Sequence, residues 1–88
     1  MAEVEFWPEY GSGPLWIAGS SVEPTELVGA ELAERLIAWN DQYDDEKLPA
    51  DGSSGDSGWL AEGKELLRLV RERLDGNHVV QVTEPWWD

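Results

Sequence analysis

Residues 56–77 read DSGWLAEGKELLRLVRERLDGN, and this segment carries the clearest secondary-structure pattern in the chain. Its apolar and small residues recur at helical spacing, so they share one face of a helix. They are Trp59, Gly63, Leu66, Leu67, Val70 and Leu74. Asp56 or Ser57 suits the N-cap, and Asp75-Gly76-Asn77 suits the C-terminal stop. The segment therefore predicts an amphipathic helix between these two signals.

A second helical pattern lies upstream. The residues on its apolar stripe are Leu32, Leu36, Trp39 and Tyr43, widened by Ala33, Ile37 and Asn40. Pro24 suits a first turn and Thr25 suits an N-cap, whereas Gly29 inside a helix would cost about 1 kcal/mol relative to alanine. The pattern predicts one helix that begins between Thr25 and Gly29 and ends near Asp44.

Three short segments read as β-strands. Residues 3–7 alternate acidic and apolar side chains, residues 15–18 form an apolar run, and residues 78–82 are rich in valine. Residues 8–14, PEYGSGP, read as a turn-rich connection. The order strand, strand, helix, helix, strand predicts an α+β fold, in which a small two- or three-stranded sheet carries an antiparallel helical hairpin on one face. The last strand would run antiparallel to the second, and parallel to the first if those two pair; the strand order stays open.

The composition is that of a folded domain. The chain has 88 residues, 41% of them hydrophobic and six of them tryptophan. This length has room for one domain, residues 1–88. Because the chain has no cysteine, disulfides, thiolate metal sites and thiol nucleophiles are excluded. The acidic N-terminus lacks a signal-peptide pattern and no run of about 18 apolar residues occurs, so we expect a cytoplasmic protein that does not span a membrane.

The charge is strongly unbalanced. There are 19 Asp and Glu residues against six Lys and Arg, which gives a net charge of −13. Such a surface repels the phosphates of nucleic acids and of anionic lipids, so we expect no direct nucleic-acid binding and no membrane binding. A basic protein partner is favoured instead. The alternative is that the charge only keeps a small protein soluble.

No catalytic or metal-binding motif stands out. The acidic residues between Asp41 and Asp56 lack the alternate spacing, the central glycine and the closing glutamate of an EF-hand loop, so we expect no metal site. His78 is the one histidine, and Ser12 lies outside the pattern of a nucleophile elbow. We therefore expect neither a catalytic residue nor a cofactor.

The carboxylates at the predicted end of the first helix are the first candidate partner-binding residues. They are Asp41, Asp44, Asp45 and Glu46. In the last turn of a helix these side chains would oppose the helix dipole and repel one another, and a cationic partner would relieve both effects. The alternative is a solvated helix end that tolerates a small penalty.

Trp86 and Trp87 are the second set of candidate partner-binding residues. In an extended segment adjacent side chains face opposite ways, so the two indoles could not both enter one core. An exposed tryptophan surrounded by carboxylates suits the Arg and Lys side chains of a basic partner. The alternative is a C-terminal lid over the helices. In contrast, Trp16, Trp39 and Trp59 lie on apolar stripes and are predicted to be core residues.

Lys64, Arg68 and Arg71 form a basic stripe on the second predicted helix. Two interpretations compete for this stripe. Its side chains either neutralise carboxylates of the first helix or of the acidic loop, or bind an anionic ligand.

Three stretches carry a resemblance: PLW at residues 14–16, LIAWNDQYD at residues 36–44, and WLAEG at residues 59–63. This pattern resembles small uncharacterised proteins of actinobacteria and their phages. Residues 47–58, which read as a flexible loop, lack the Trp-Asp-Asp-Pro segment of that group. The resemblance implies a bacterial cytoplasmic setting, in which some small acidic proteins act as immunity proteins or inhibitors, and it assigns no functional residue.

These observations favour a non-enzymatic, acidic protein-binding module, immunity-protein-like or inhibitor-like, that binds a basic partner electrostatically. The alternative is a nucleic-acid mimic, whose carboxylates would lie in rows at phosphate spacing and occupy a phosphate-binding surface. A small hydrolase or metal-dependent enzyme is a third class, and it would need a cleft with perturbed carboxylates.

Overall fold

The computed structural model describes residues 2–49 and 55–87, which form a mixed sheet packed against helices. In chain order the elements are β1 (Ala2–Phe6), β2 (Leu15–Ile17), β3 (Ser20–Ser21), α1 (Pro24–Val28), α2 (Ala30–Asp41), α3 (Ser57–Leu74) and β4 (His78–Gln81). Short 3-10 turns cover Asp45–Lys47 and Pro85–Trp87. The predicted α+β class is confirmed. Residues 50–54 of the predicted flexible loop lie outside the described residues.

The sheet has the order β3-β2-β1-β4. β1 pairs antiparallel with β2 and parallel with β4, so the expectation that the last strand is parallel to the first when they pair is confirmed. Four strands form where two or three were predicted. The extra strand, β3, arises because Ala18 and Gly19 both have positive φ, at 53° and 83°, and turn the chain back onto β2. Such two-residue turns match the twist of a hairpin.

One face of the sheet is buried, and the other is largely open except at Trp16. Trp16 is buried as predicted, but it lies on this second face, where its ring stacks on that of Trp7 with centroids 3.9 Å apart. Val4, Phe6 and Leu15 are fully buried and Val80 is 9% exposed. The register places Glu3 beside Val79, and Glu5 beside both Gln81 and Trp16, on the opposite face. This alternation of acidic and apolar residues is what the sequence pattern of the first strand predicts. The helices cover the Val4 and Phe6 face, because those residues belong to the same core cluster as the helix stripes.

The upstream helical segment is two helices and not the one predicted. Gly29 has φ 87° and ψ 165°, which no helix interior adopts, and it separates α1 from α2. Its N–H still bonds to the Thr25 carbonyl at 3.2 Å and so closes α1. The helical end is also earlier than predicted, at Asp41 and not near Asp44. Ile37, placed on the buried stripe by the pattern, is 39% exposed.

The prediction for α3 is confirmed. The Asp56 carboxylate accepts a hydrogen bond from the Trp59 N–H at 3.0 Å, which satisfies a free donor of the first turn. After Leu74 the chain leaves the helix through Gly76, whose φ of 86° is readily adopted only by glycine. The Asn77 N–H then bonds to the Leu74 carbonyl at 2.9 Å.

α2 and α3 form an antiparallel hairpin, as predicted. Trp39 meets Trp59 while Arg35 meets Glu62, so residue numbers fall along α2 as they rise along α3. The two indoles stack with centroids 4.4 Å apart. Each indole N–H donates to the other residue's backbone carbonyl, at 2.9 Å from Trp39 and 3.0 Å from Trp59. Both tryptophans are core residues, as their stripes predict.

Trp87 closes the core from the C-terminal side. Its ring lies edge-on to Phe6, Trp39 and Trp59, with centroids 5.5 to 5.9 Å away. The rings of Trp39 and Trp87 both lie close to Gly63, where a Cβ atom would lie 2.5 Å from Trp39 Cζ2 and 2.6 Å from Trp87 Cζ3. The small residue on the α3 stripe is therefore a requirement of aromatic packing.

The substitution Gly63→Ala tests this packing. The added methyl group clashes with two buried rings, so we expect a loss of about 1–3 kcal/mol in the free energy of unfolding, despite the better helix propensity of alanine. The control is Gly58→Ala in the same helix, where the new Cβ would lie 3.6 Å from the Asp56 carboxylate, an ordinary contact. Urea denaturation of both variants measures the difference, and equal midpoints would contradict the packing described.

Candidate functional site

Asn40 joins the end of α2 to the loop between β1 and β2. It is 7% exposed and is the buried polar residue of the described core. Its side-chain oxygen accepts from the Glu9 N–H at 3.1 Å, and its amide group donates to the carbonyls of Glu9 and Ser12 at 3.1 and 2.8 Å. One buried amide therefore satisfies three backbone groups of the loop and fixes the position of that loop. We call these three hydrogen bonds the Asn40 clamp.

The loop carries Tyr10 to the end of α2. Tyr10 is 57% exposed, and its ring lies 4.9 Å from that of Tyr43, which in turn lies 6.0 Å from Trp59. The exposed Tyr10 ring thus packs against Tyr43, which in turn contacts the core residue Trp59. Tyr10 could not be identified as a site residue from the sequence, because the turn-rich segment PEYGSGP has no periodic pattern that indicates which residue the Tyr10 ring contacts.

The acidic candidate residues lie at and after the end of α2, and the structure describes the side chains of three of them. Asp41 ends α2, and Asp41, Asp44 and Glu46 are all exposed. Asp44 accepts from the Glu46 N–H at 2.9 Å and so caps the 3-10 turn. The side chain of Asp45 lies outside the described part of the structure. We call the exposed group Tyr10, Asp41, Asp44 and Glu46 the acidic end.

The expected conflict with the helix dipole is wrong for Asp44, Asp45 and Glu46. α2 ends at Asp41, so these three residues lie beyond its last turn. Asp44 has extended backbone angles, φ −150° and ψ 167°, and its carboxylate stabilises the turn that it begins. The Asp44 carboxylate therefore makes a favourable local contact, and these three residues do not belong to a strained helix end.

Lys47 balances Asp56 at the edge of the acidic end. Its ammonium group lies 3.2 Å from the Asp56 carboxylate. The hydrogen bond from the Trp59 N–H, and then the bond from Lys47, hold the pKa of Asp56 below its ordinary value of 3.8. Within the described residues, Asp41, Asp44 and Glu46 take part in no ion pair. Their negative charge remains available to a partner.

The tail tryptophans have different surroundings. Trp87 is 3% exposed, so it is not the exposed anchor that the sequence suggested. Because Pro85–Trp87 is a 3-10 turn and not an extended segment, Trp87 can turn into the core, and the alternative of a C-terminal lid describes it. Trp86 is half-buried beside it, with centroids 6.5 Å apart. The buried Trp86 indole N–H makes no hydrogen bond to the described residues.

Within the basic stripe of α3, Arg68 is neutralised from within its own helix. Arg68 pairs with Glu65 and Glu72, and these carboxylates raise the pKa of its guanidinium. Arg71 donates to the Val80 carbonyl at 3.4 Å. The expectation that the stripe neutralises the first helix or the acidic loop is therefore wrong for Arg68. The ion pair between the helices uses Arg35 on α2 and Glu62 on α3 instead.

The described residues contain neither a side-chain cluster suited to a metal ion nor a helix suited to crossing a membrane. No group of three His, Cys, Asp or Glu side chains there is arranged to hold a metal ion. None of the helices in residues 2–49 and 55–87 combines the length and the apolar character needed to cross a membrane.

The role of Asn40 is tested by Asn40→Ala. The substitution leaves three backbone groups without their partner, so we expect a loss of about 1–3 kcal/mol in the free energy of unfolding. We also expect faster amide hydrogen exchange at Glu9, whose N–H loses its acceptor. Gln42→Ala, at an exposed position of the same segment, is the control. Unchanged exchange at Glu9 would show that the loop does not depend on this side chain.

The Asp56 carboxylate gives a pH-dependence with a defined sign. A lowered pKa in the folded state means that the charged form stabilises the fold at neutral pH, and that this contribution is lost as the pH falls below 3.8 and through the folded-state pKa. Asp56→Asn keeps an oxygen acceptor for the helix cap but removes the charge. We expect it to lower the urea midpoint at neutral pH, and the two proteins to converge in acid. A difference that stays constant with pH would contradict this role.

A comparison with protein families finds a match across residues 2–85 to the family described as Serratia CdiI immunity protein-like. No curated protein matches the chain. The matched range contains the Asn40 clamp and the whole acidic end, and it stops before Trp86. The match does not bear on the resemblance to actinobacterial and phage proteins. Because it covers nearly the full sequence, the chain belongs to the Serratia CdiI immunity protein-like family.

Proposed function

We propose that this chain is a non-enzymatic immunity protein, which binds and neutralises a basic protein toxin in the cytoplasm through the acidic end. Family membership supports a protein-binding role of the immunity type. The observation that carries the choice of surface is the acidic end itself. Asp41, Asp44 and Glu46 are exposed on either side of Tyr43 in the chain, and the Tyr43 ring contacts Tyr10, whose loop is fixed by Asn40.

The charge of the molecule supports a basic partner. A net charge of −13 on 88 residues produces a strong negative field, which accelerates the approach of a cationic protein and repels nucleic acids. The field acts over about a Debye length, roughly 10 Å at 0.1 M salt. Asp41, Asp44 and Glu46 contribute to that field at the acidic end, because they take part in no ion pair within the described residues. Asp45 joins the proposal by its position between Asp44 and Glu46.

Tyr10 gives the acidic end a contact that is not purely electrostatic. Tyrosine is enriched among the residues that dominate interface energies, and the face of its ring attracts Arg and Lys. Tyr10 is 57% exposed, so it can be buried by a partner. The ring of Tyr43 supports it from behind. A partner would therefore contact the exposed ring of Tyr10 as well as the carboxylates of the acidic end.

The acidic end is held in place before binding. Asn40 fixes the loop of Tyr10, and the Asp44 cap fixes the turn that carries Glu46. Side chains already ordered in the free protein lose less entropy on association. The proposal does not use Trp87, which is core. Trp86 remains a separate candidate contact, half-buried on the C-terminal turn.

The partner is tested by capture and rescue. The tagged chain is used to capture proteins from an extract of its native host at low salt, and mass spectrometry identifies them. We expect a basic protein whose production alone stops bacterial growth, and whose toxicity is removed when this chain is co-produced. If the protein captured reproducibly is acidic, or if co-production does not restore growth, the proposed function is wrong.

The surface is tested with the purified toxin. The triple variant Asp41→Asn, Asp44→Asn, Glu46→Gln keeps an amide at the Asp44 cap, so the fold is retained. We expect the association rate to fall by on the order of tenfold at low salt, and the loss to shrink as salt rises. The measurement is stopped-flow or surface plasmon resonance at several salt concentrations.

The control variant for this experiment changes the net charge equally. It combines Glu3→Gln, Glu26→Gln and Asp75→Asn, which replace exposed carboxylates away from the acidic end. We expect this variant to associate nearly as fast as the native protein. If the two triple variants slow association to the same degree, only the overall charge matters and the acidic end is not the site.

A further inference from the structure

Ile37 is an aliphatic side chain that the fold leaves on the surface. It lies on α2 and is 39% exposed, although its neighbours Leu36 and Ala33 are buried. An isolated exposed aliphatic residue is ordinary on a protein surface. Ile37 differs because of what surrounds it.

Two shallow grooves flank Ile37. The first runs between α2 and the segment before α1, and its lining includes Val22, Glu23 and Ile37. The second runs along the outer side of α2, and its lining includes Glu34, Ala38 and Ile37. Asp41 lines both grooves. Ile37 thus forms a ridge between two grooves that share a carboxylate of the acidic end.

The rims of the grooves carry one sign of charge. Glu23, Glu34 and Asp41 are exposed, and none of them takes part in an ion pair within the described residues. An apolar ridge with an acidic rim is complementary to a basic segment that also presents an apolar side chain. It is a poor match for an acidic or a wholly polar partner.

We propose that the toxin interface extends from the acidic end along α2 to Ile37, and that a basic segment of the toxin lays an apolar side chain against Ile37. Arg or Lys residues of that segment pair with Glu23, Glu34 and Asp41. This inference rests on the proposed function, since it names more of the same interface. It adds a contact whose contribution does not depend on charge.

The experiment compares Ile37→Ala with Val79→Ala, using the purified toxin as the probe. Val79 is a matched control, because it is also a β-branched aliphatic residue and is 48% exposed. It lies on the open face of the sheet beside Glu3. Neither substitution changes the charge, and alanine favours the helix at position 37. Urea denaturation checks that both variants are as stable as the native protein.

We expect Ile37→Ala to raise the Kd by about tenfold or more, through faster dissociation, and Val79→Ala to leave the Kd within about twofold. The effect of Ile37→Ala should persist at high salt, where the losses caused by the acidic-end variant shrink. That difference separates an apolar contact from electrostatic steering.

Each of the remaining outcomes would contradict this inference. If Ile37→Ala binds as tightly as the native protein while the acidic-end variant is impaired, the interface stops short of Ile37 and only this inference fails. If Val79→Ala weakens binding more than Ile37→Ala, the open sheet face is the apolar contact and this inference is again wrong. If no toxin is captured or neutralised, the proposed function fails and the inference fails with it.

Discussion

The paired indoles of Trp39 and Trp59 fix how the elements of this protein meet. Stacking alone would allow the rings to slide, but each N–H also donates to the other residue's carbonyl, so the rings have one relative position. That position sets the offset of α3 against α2, and it brings Gly63 of α3 close to the rings of Trp39 and Trp87. Phe6 stacks on Trp39 at 5.4 Å, which ties the sheet to the same point. The hairpin, the sheet and the C-terminal turn therefore share one aromatic cluster.

Much of the fold could be predicted because its strongest signals are local. The stripe of α3, its Asp56 cap and its Gly76 exit are all encoded within a few residues of one another. The break at Gly29 could not be placed, since a cost of about 1 kcal/mol is small enough for packing either to tolerate or to exploit. Ile37 lies at the edge of the predicted stripe, and it is exposed although Leu32, Leu36 and Trp39 on the same helix are buried as predicted. The extra strand β3 depends on Ala18, a residue that seldom adopts a positive φ.

The candidate site was predictable in its charges and not in its geometry. The run from Asp41 to Glu46 is visible in the sequence, whereas the expected conflict with the helix dipole is absent for Asp44, Asp45 and Glu46, because α2 ends at Asp41. Asn40 lies on the predicted apolar stripe, but its hydrogen-bond partners lie 28 and 31 residues away along the chain. No local sequence pattern therefore predicts these hydrogen bonds. Tyr10 lies on the loop that these hydrogen bonds fix, and its ring contacts Tyr43. Trp87 shows the same limit, because a turn and not a strand directs it inward.

The parallel pairing of β1 with β4 has a consequence for synthesis. Residues 2–5 have their partners at residues 78–81, and Phe6 completes its surroundings only with Trp87. Contacts between segments so distant along the chain form slowly, and here they need residues 2–6 and 78–87 to be present together. During synthesis the residues of α2 and α3 emerge before those of β4, so the contacts of the helical hairpin can form before the sheet pairing does. The sheet and the aromatic cluster can therefore close only after residues 78–87 have been made.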